Sequence, residues 1–227
     1  MGTNVGMRMI SSKGFFRHPL STILANEGHV RVLRELSSHG GLLSVTGLAA
    51  RTALTPQGVR KILDLLVDCG AVAMLGQAKT RLYGIGTHPI MESIVRLFEE
   101  EENAYSGAIK LLRECVGENE GVIAAWIYGS VARGEDRPNS DIDIAIVTLD
   151  TELERVTEEV RSAIDELVDR LPFPASIVSL GKSDIPARSK TTKWWESLLK
   201  EAIVLKGDRP DVLIRKITAS NSQGTHR

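Results

Sequence analysis

The chain has 227 residues, 42% of them hydrophobic, and a formal net charge of −1, the balance of an ordinary folded protein with room for two small cores. No apolar run reaches the roughly 20 residues of a membrane span, and the stretch from Met1 to Phe16 lacks the apolar segment of a secretory leader. A cytoplasmic protein without a membrane partner is expected, with residues 1–17 a flexible start. Cys69 and Cys115 stand far apart and outside any metal-binding spacing, so buried thiols are expected rather than a metal cluster or a disulfide.

Net charge hides a division. Residues 1–90 carry 10 basic and 4 acidic side chains, a formal +6, whereas residues 91–227 carry 18 and 25, a formal −7. One half is suited to a polyanion and the other is not. In the basic half, Val30, Val32, Leu33 and Leu36 follow a helical rhythm that Gly40-Gly41 ends. A second helix is expected from Val45 to Ala53. Thr55-Pro56 then supplies a hydroxyl cap and a first-turn proline for a third. That third helix turns Val59, Ile62, Leu63 and Leu66 inward, shows Gln57, Arg60 and Lys61 outward, and ends near Gly70. Residues 71–74 and 81–85 read as two short strands around a basic tip.

Three helices and a hairpin, the second and third helices joined tightly, resemble a winged helix-turn-helix of the kind found in bacterial and archaeal transcription regulators. The resemblance covers residues 18–90. It implies that the third helix enters the major groove with Gln57, Arg60 and Lys61, while Lys79 and Arg81 of the wing touch DNA phosphates or the minor groove. A winged helix used for protein contacts is the competing reading. Residues 91–116 predict a long connecting helix, bent near Gly107, whose apolar stripes would suit a homodimer. Its run Glu99 to Glu102 reads as a solvated face.

Residues 117–207 alternate strand and helix: strands from Val122 to Tyr128, Asp141 to Val147 and Ala175 to Leu180, helices from Leu153 to Leu171 and Lys193 to Lys200, and a last apolar stretch from Ala202 to Leu205. This predicts a mixed α/β domain. Side chains alternate along a strand, so Asp141 and Asp143 share one face while Ile142 and Ile144 point into the core. Two neighbouring carboxylates repel unless a cation sits between them.

Gly129-Ser130-x-Ala-Arg-Gly followed by Ser140-Asp141-x-Asp143 resembles the signature of the nucleotidyltransferase superfamily, which includes polymerase beta and the minimal nucleotidyltransferases. With the amino-terminal half, the chain looks like the subgroup that fuses a winged helix to this α/β mixed-sheet domain. The resemblance implies that Gly129 and Ser130 bind the phosphates of a nucleoside triphosphate, that Arg133 adds positive charge there, and that Asp141 and Asp143 hold Mg²⁺ as catalytic carboxylates. Active members of the family usually carry a third carboxylate on the next strand. Here that strand is Ala175-Ser176-Ile177-Val178-Ser179-Leu180, with no acid, and Asp184 is expected beyond it in a loop.

Trp194 and Trp195 read as packing residues rather than base-stacking platforms. Residues 208–227 read as a mobile tail with a short helix over Val212 to Ile217. Two functions remain open. One is Mg²⁺-dependent transfer of a nucleoside monophosphate to a protein hydroxyl, on a toxin-like partner, or to a small molecule. The other is a transcriptional regulator, catalytically weak or inactive, that senses nucleotide through the same fold.

Overall fold

The computed structural model describes residues 14–77, 80–188 and 193–223. The chain divides into two compact units, Met1–Asn103 and Ala104–Arg227. The division falls inside the helix that the sequence sets apart as a connector.

In the first unit, a short helix α1 (Leu20–Ile23) precedes α2 (Glu27–His39), α3 (Val45–Thr52) and α4 (Pro56–Asp68). Each of the three longer helices begins on a side-chain cap: Asn26 accepts the His29 amide, Ser44 that of Gly47, and Thr55 that of Gly58. Such caps satisfy amides that lack an intrahelical partner and contribute about 1 kcal/mol each. Gly40, in the left-handed region, ends α2. Strands β1 (Val72–Leu75) and β2 (Leu82–Ile85) pair antiparallel as the wing. Val32, Leu33, Leu36, Leu48, Val59, Leu63 and Leu66 close the core, joined by Met91 and Ile94 from the start of α5 (Met91–Glu118). The latter is one continuous helix through Gly107. In its acidic run, Glu101 pairs with Arg34.

The second unit is built on a four-stranded sheet. Strands β3 (Val122–Tyr128), β4 (Ile142–Thr148), β5 (Ala175–Gly181) and β6 (Ile203–Lys206) lie in the order β5-β4-β3-β6. β3 is antiparallel to β4 and to β6, while β4 and β5 run parallel. Parallel neighbours need a crossover, and α7 (Leu153–Asp165) provides it, burying Val156, Val160 and Ile164 at four-residue spacing. Their partners on that face of the sheet are Ile127, Ile142, Ile144 and Ile146, together with Ile109, Leu112 and Val116 of α5. The opposite face packs Ala124, Trp126, Ala145, Val147 and Leu180 against α8 (Asp184–Arg188), α9 (Lys193–Glu201) and α10 (Pro210–Gln223). Trp195 is fully buried edge-on to Trp126, as a packing residue should be.

Two expectations need correction. The stretch read as a mobile tail forms α10 up to residue 223, and Leu213 and Ile217 enter the core. The apolar residues there recur at helical spacing, and the Trp126 indole N–H donates to the carbonyl of Asp208 just before them. Asp184, expected in a loop, opens α8 instead, where its carboxylate accepts the Gly181 amide. Among the described residues no helix is long and apolar enough to cross a membrane.

All three tryptophans lie in the second unit, so their fluorescence reports its unfolding alone. Ile144→Ala, at a fully buried position of the central sheet, should lower the stability of that transition by about 2 to 5 kcal/mol in urea titrations.

Candidate functional site

Strand β3 ends at Tyr128, in extended conformation, and the backbone then turns at Gly129 with φ +78° into the five-residue α6 (Gly129–Arg133). Tyr128 lies directly across from Asp143 in the β3–β4 register. That pairing brings the Asp143 carboxylate onto the turn: a Cβ built on Gly129 would stand 2.2 Å from Asp143 Oδ2. Glycine is required twice over, by its positive φ and by the carboxylate packed against its Cα.

Alternation along β4 sends Ile142 and Ile144 into the core and leaves Asp143 half-buried on the opposite side, with Asp141 exposed just before the strand. Asp143 shares its face with Ala145 and Val147, at the open end of the layer that α8, α9 and α10 cover. Burial pushes the Asp143 carboxyl above its ordinary value, and the neighbouring charge of Asp141 adds to the effect, against a smaller opposing pull from Arg133. Tyr128 is likewise pushed up, first by burial, while a hydrogen bond with Trp194 works against the shift and the two aspartates add to it.

The expected charge of Arg133 is already engaged. Its Nε donates to Glu135 at 2.7 Å and its Nη1 to Glu201 at 2.9 Å. The sequence reading missed Glu201. Burial acts to raise its carboxyl, but hydrogen bonds from Ser197, Arg133 and the Gly129 amide outweigh that and hold it below the usual range. The Ser197 and Glu201 spacing of four residues was the one visible signal, and nothing local ties it to a turn 72 residues earlier.

On β5, Ser176 is the register partner of Asp143. It occupies the position from which a third carboxylate would meet the pair, and Asp184 is committed to the Gly181 amide. Among the described residues no group of three or more His, Cys, Asp or Glu side chains is placed to hold a metal. Two carboxylates on one face, with the Asp143 carboxyl raised by burial and further by the charge of Asp141, fit a single hard divalent cation whose remaining ligands come from substrate and water. They do not fit a second.

In the first unit Gln57, Arg60 and Lys61 are all exposed along α4. Arg60 and Arg81 line one concavity of about 370 Å³ together with Ser44, Thr46, Asp64 and Tyr83. The guanidiniums of Arg60 and Arg81 and the hydroxyls of Ser44, Thr46 and Tyr83 thus border the same space beside the Asp64 carboxylate, and guanidiniums and hydroxyls are groups suited to phosphate oxygens. The cap residue Ser44 and its neighbour Thr46 carried no sequence signal for this role. Lys79 lies outside the described residues.

Residues 110–201 match the family model described as polymerase beta, nucleotidyltransferase. The second unit carries a nucleotidyltransferase domain. Residues 24–74 match the MarR family, so a MarR-type winged helix precedes it. Two solved structures align with 52% of this chain and 87% of their own at 21% identity: a toxin–antitoxin with AMP-PNP, TM-score 0.33, and a mutant of the toxin–antitoxin MntA–HpeT, TM-score 0.34. No curated protein matches the chain significantly.

In the nucleotidyltransferase domain, a cation held by Asp143 would compete with the proton for the same oxygens. Mg²⁺ affinity should therefore rise with pH through the elevated titration of Asp143, which calorimetry over a pH series from the ordinary carboxylate range upward would read; affinity independent of pH across that series would contradict the assignment. The stability sign follows from the same shift. Without cation, the fold holds the Asp143 proton more tightly than the unfolded chain does, so stability declines as pH rises through the folded value, and Asp143→Asn should remove that slope.

Proposed function

We propose that the chain is a DNA-binding nucleotidyltransferase that uses Mg²⁺ to transfer a nucleoside monophosphate from a nucleoside triphosphate to a hydroxyl acceptor on a protein or small molecule. The observation that carries this reading is the contact of the Asp143 carboxylate with the Gly129 turn, which brings the paired aspartates onto the strand-to-helix turn that precedes Ser130.

In this reading Gly129 lets the triphosphate come close to the backbone, and the Ser130 hydroxyl hydrogen-bonds its terminal phosphates. Asp141 and Asp143 hold the cation, which supplies charge neutralisation as negative charge develops on the phosphates. The acceptor oxygen forms a bond to the α-phosphorus while the bond from that phosphorus to the α,β-bridging oxygen breaks, and pyrophosphate leaves with the electron pair. With Ser176 rather than an acid beside Asp143, the acceptor's proton passes to water or to the substrate's own oxygens.

The winged helix supports a DNA partner, with Gln57, Arg60 and Lys61 at base edges and Arg81 on phosphate. A homodimer would reach two half-sites. The Ser176 position favours a second reading, in which the nucleotidyltransferase domain binds nucleotide and one cation without efficient turnover and its occupancy regulates DNA binding.

Incubation with each labelled nucleoside triphosphate and candidate protein acceptors should show transfer that Asp143→Ala abolishes; if no nucleotide is transferred while Mg-nucleotide binding shifts DNA affinity, the second reading stands instead. Arg60→Ala and Arg81→Ala should each weaken DNA binding and reduce the slope of log affinity on log salt by about 1, read by anisotropy at several salt concentrations.

A further inference from the structure

Three donors converge on one oxygen of Glu201. Oε1 accepts the Gly129 amide at 3.1 Å, Arg133 Nη1 at 2.9 Å and Ser197 Oγ at 2.9 Å. The side chain is only 10% exposed. An enclosed carboxylate of this kind is retained where charge-assisted bonds offset its desolvation. It is also fixed from behind: α9 is locked by Trp195 and Leu198 in the core, and Ser197 holds the carboxylate against its own helix.

We propose that Glu201 is the positioning residue of the phosphate-binding turn, holding the Gly129 backbone and the Arg133 guanidinium in the geometry that receives a triphosphate. The proposal rests on the nucleotide-binding reading above.

The two carboxylates on Arg133 differ in kind. Glu135 is 65% exposed, and a pair so open to water contributes little. An arriving phosphate can take the Arg133 Nε donor from Glu135 while Nη1 stays on Glu201. Arg133 then changes partner without changing place. The opposite role, a carboxylate occupying the phosphate position until nucleotide displaces it, would require three bonds to break at once. It would also leave an unpaired anion beside an incoming anion, which is costly in an enclosed site.

The test compares Glu201→Ala and the near-isosteric Glu201→Gln in the full chain, with binding of each Mg-nucleotide and of Mg²⁺ alone measured by calorimetry and Gly129 amide exchange followed by NMR. Glu201→Ala should weaken Mg-nucleotide binding about tenfold, the scale of one lost bond to a charged group. It should leave affinity for Mg²⁺ alone unchanged and speed exchange at Gly129. Glu201→Gln keeps an acceptor oxygen for that amide and should restore protection and part of the affinity; in any transfer assay the loss should appear in KM more than in kcat. Tighter nucleotide binding in Glu201→Ala overturns the proposal in favour of a competing carboxylate, and unchanged Gly129 exchange overturns it outright. If the unaltered protein binds no Mg-nucleotide, the nucleotide reading itself fails, and the exchange result shows separately whether Glu201 holds the turn.

Discussion

The second unit depends on one close approach, that of the Asp143 carboxylate to the Cα of Gly129. Antiparallel pairing of β3 and β4 sets it by placing Tyr128 across from Asp143, and the absence of a side chain on Gly129 permits it. Strand alternation then fixes the surroundings. One set of residues on β4 fills the layer against α5 and α7, while the other set ends in a carboxylate at the rim of the layer under α9 and α10.

The charges around this approach are unbalanced. Arg133 is bonded to Glu135 and Glu201 and also acts on Asp143, which the charge of Asp141 pushes the other way. In the proposed reading a polyanion meets this neighbourhood with a cation, so that metal and nucleotide would be bound as one electrostatic unit. The MarR-type domain solves the opposite problem. Arg60 and Arg81 face a common concavity with Asp64 as the only acid on its wall among the described residues, and in the proposed reading the basic excess of the first 90 residues meets DNA phosphates directly.

What could be read from the sequence was local. Thr55-Pro56, Gly40 and the helical spacing of Val59, Leu63 and Leu66 specify their own structure within a few residues, and they appear where expected. The Gly-Ser turn and the paired aspartates were legible because strand alternation and glycine's conformational range are properties of single residues. Features that failed to show depend on residues distant in sequence. Glu201 means nothing until β6 returns to the edge of β3; the acid-free strand with Ser176 or a neighbour at the third carboxylate's place was legible, and the parallel register is what singles out Ser176 by setting it opposite Asp143. The helix α10 was mistaken for a tail because its apolar residues are few, and their burial depends on a face supplied by Trp126 and α9.

The separation of Glu201 from Gly129 by 72 residues has a consequence for biosynthesis. A chain emerging from the ribosome presents the Gly-Ser turn and both aspartates well before α9 and β6 exist, and contacts of such long sequence separation form late in folding. Until then the sheet has an unpaired β3 edge and the turn lacks its acceptor. Edge strand β6 follows one residue after Glu201, so closure of the sheet and arrival of the acceptor for the Gly129 amide come together. A nascent chain therefore lacks the finished turn until the residues through Glu201 have been made.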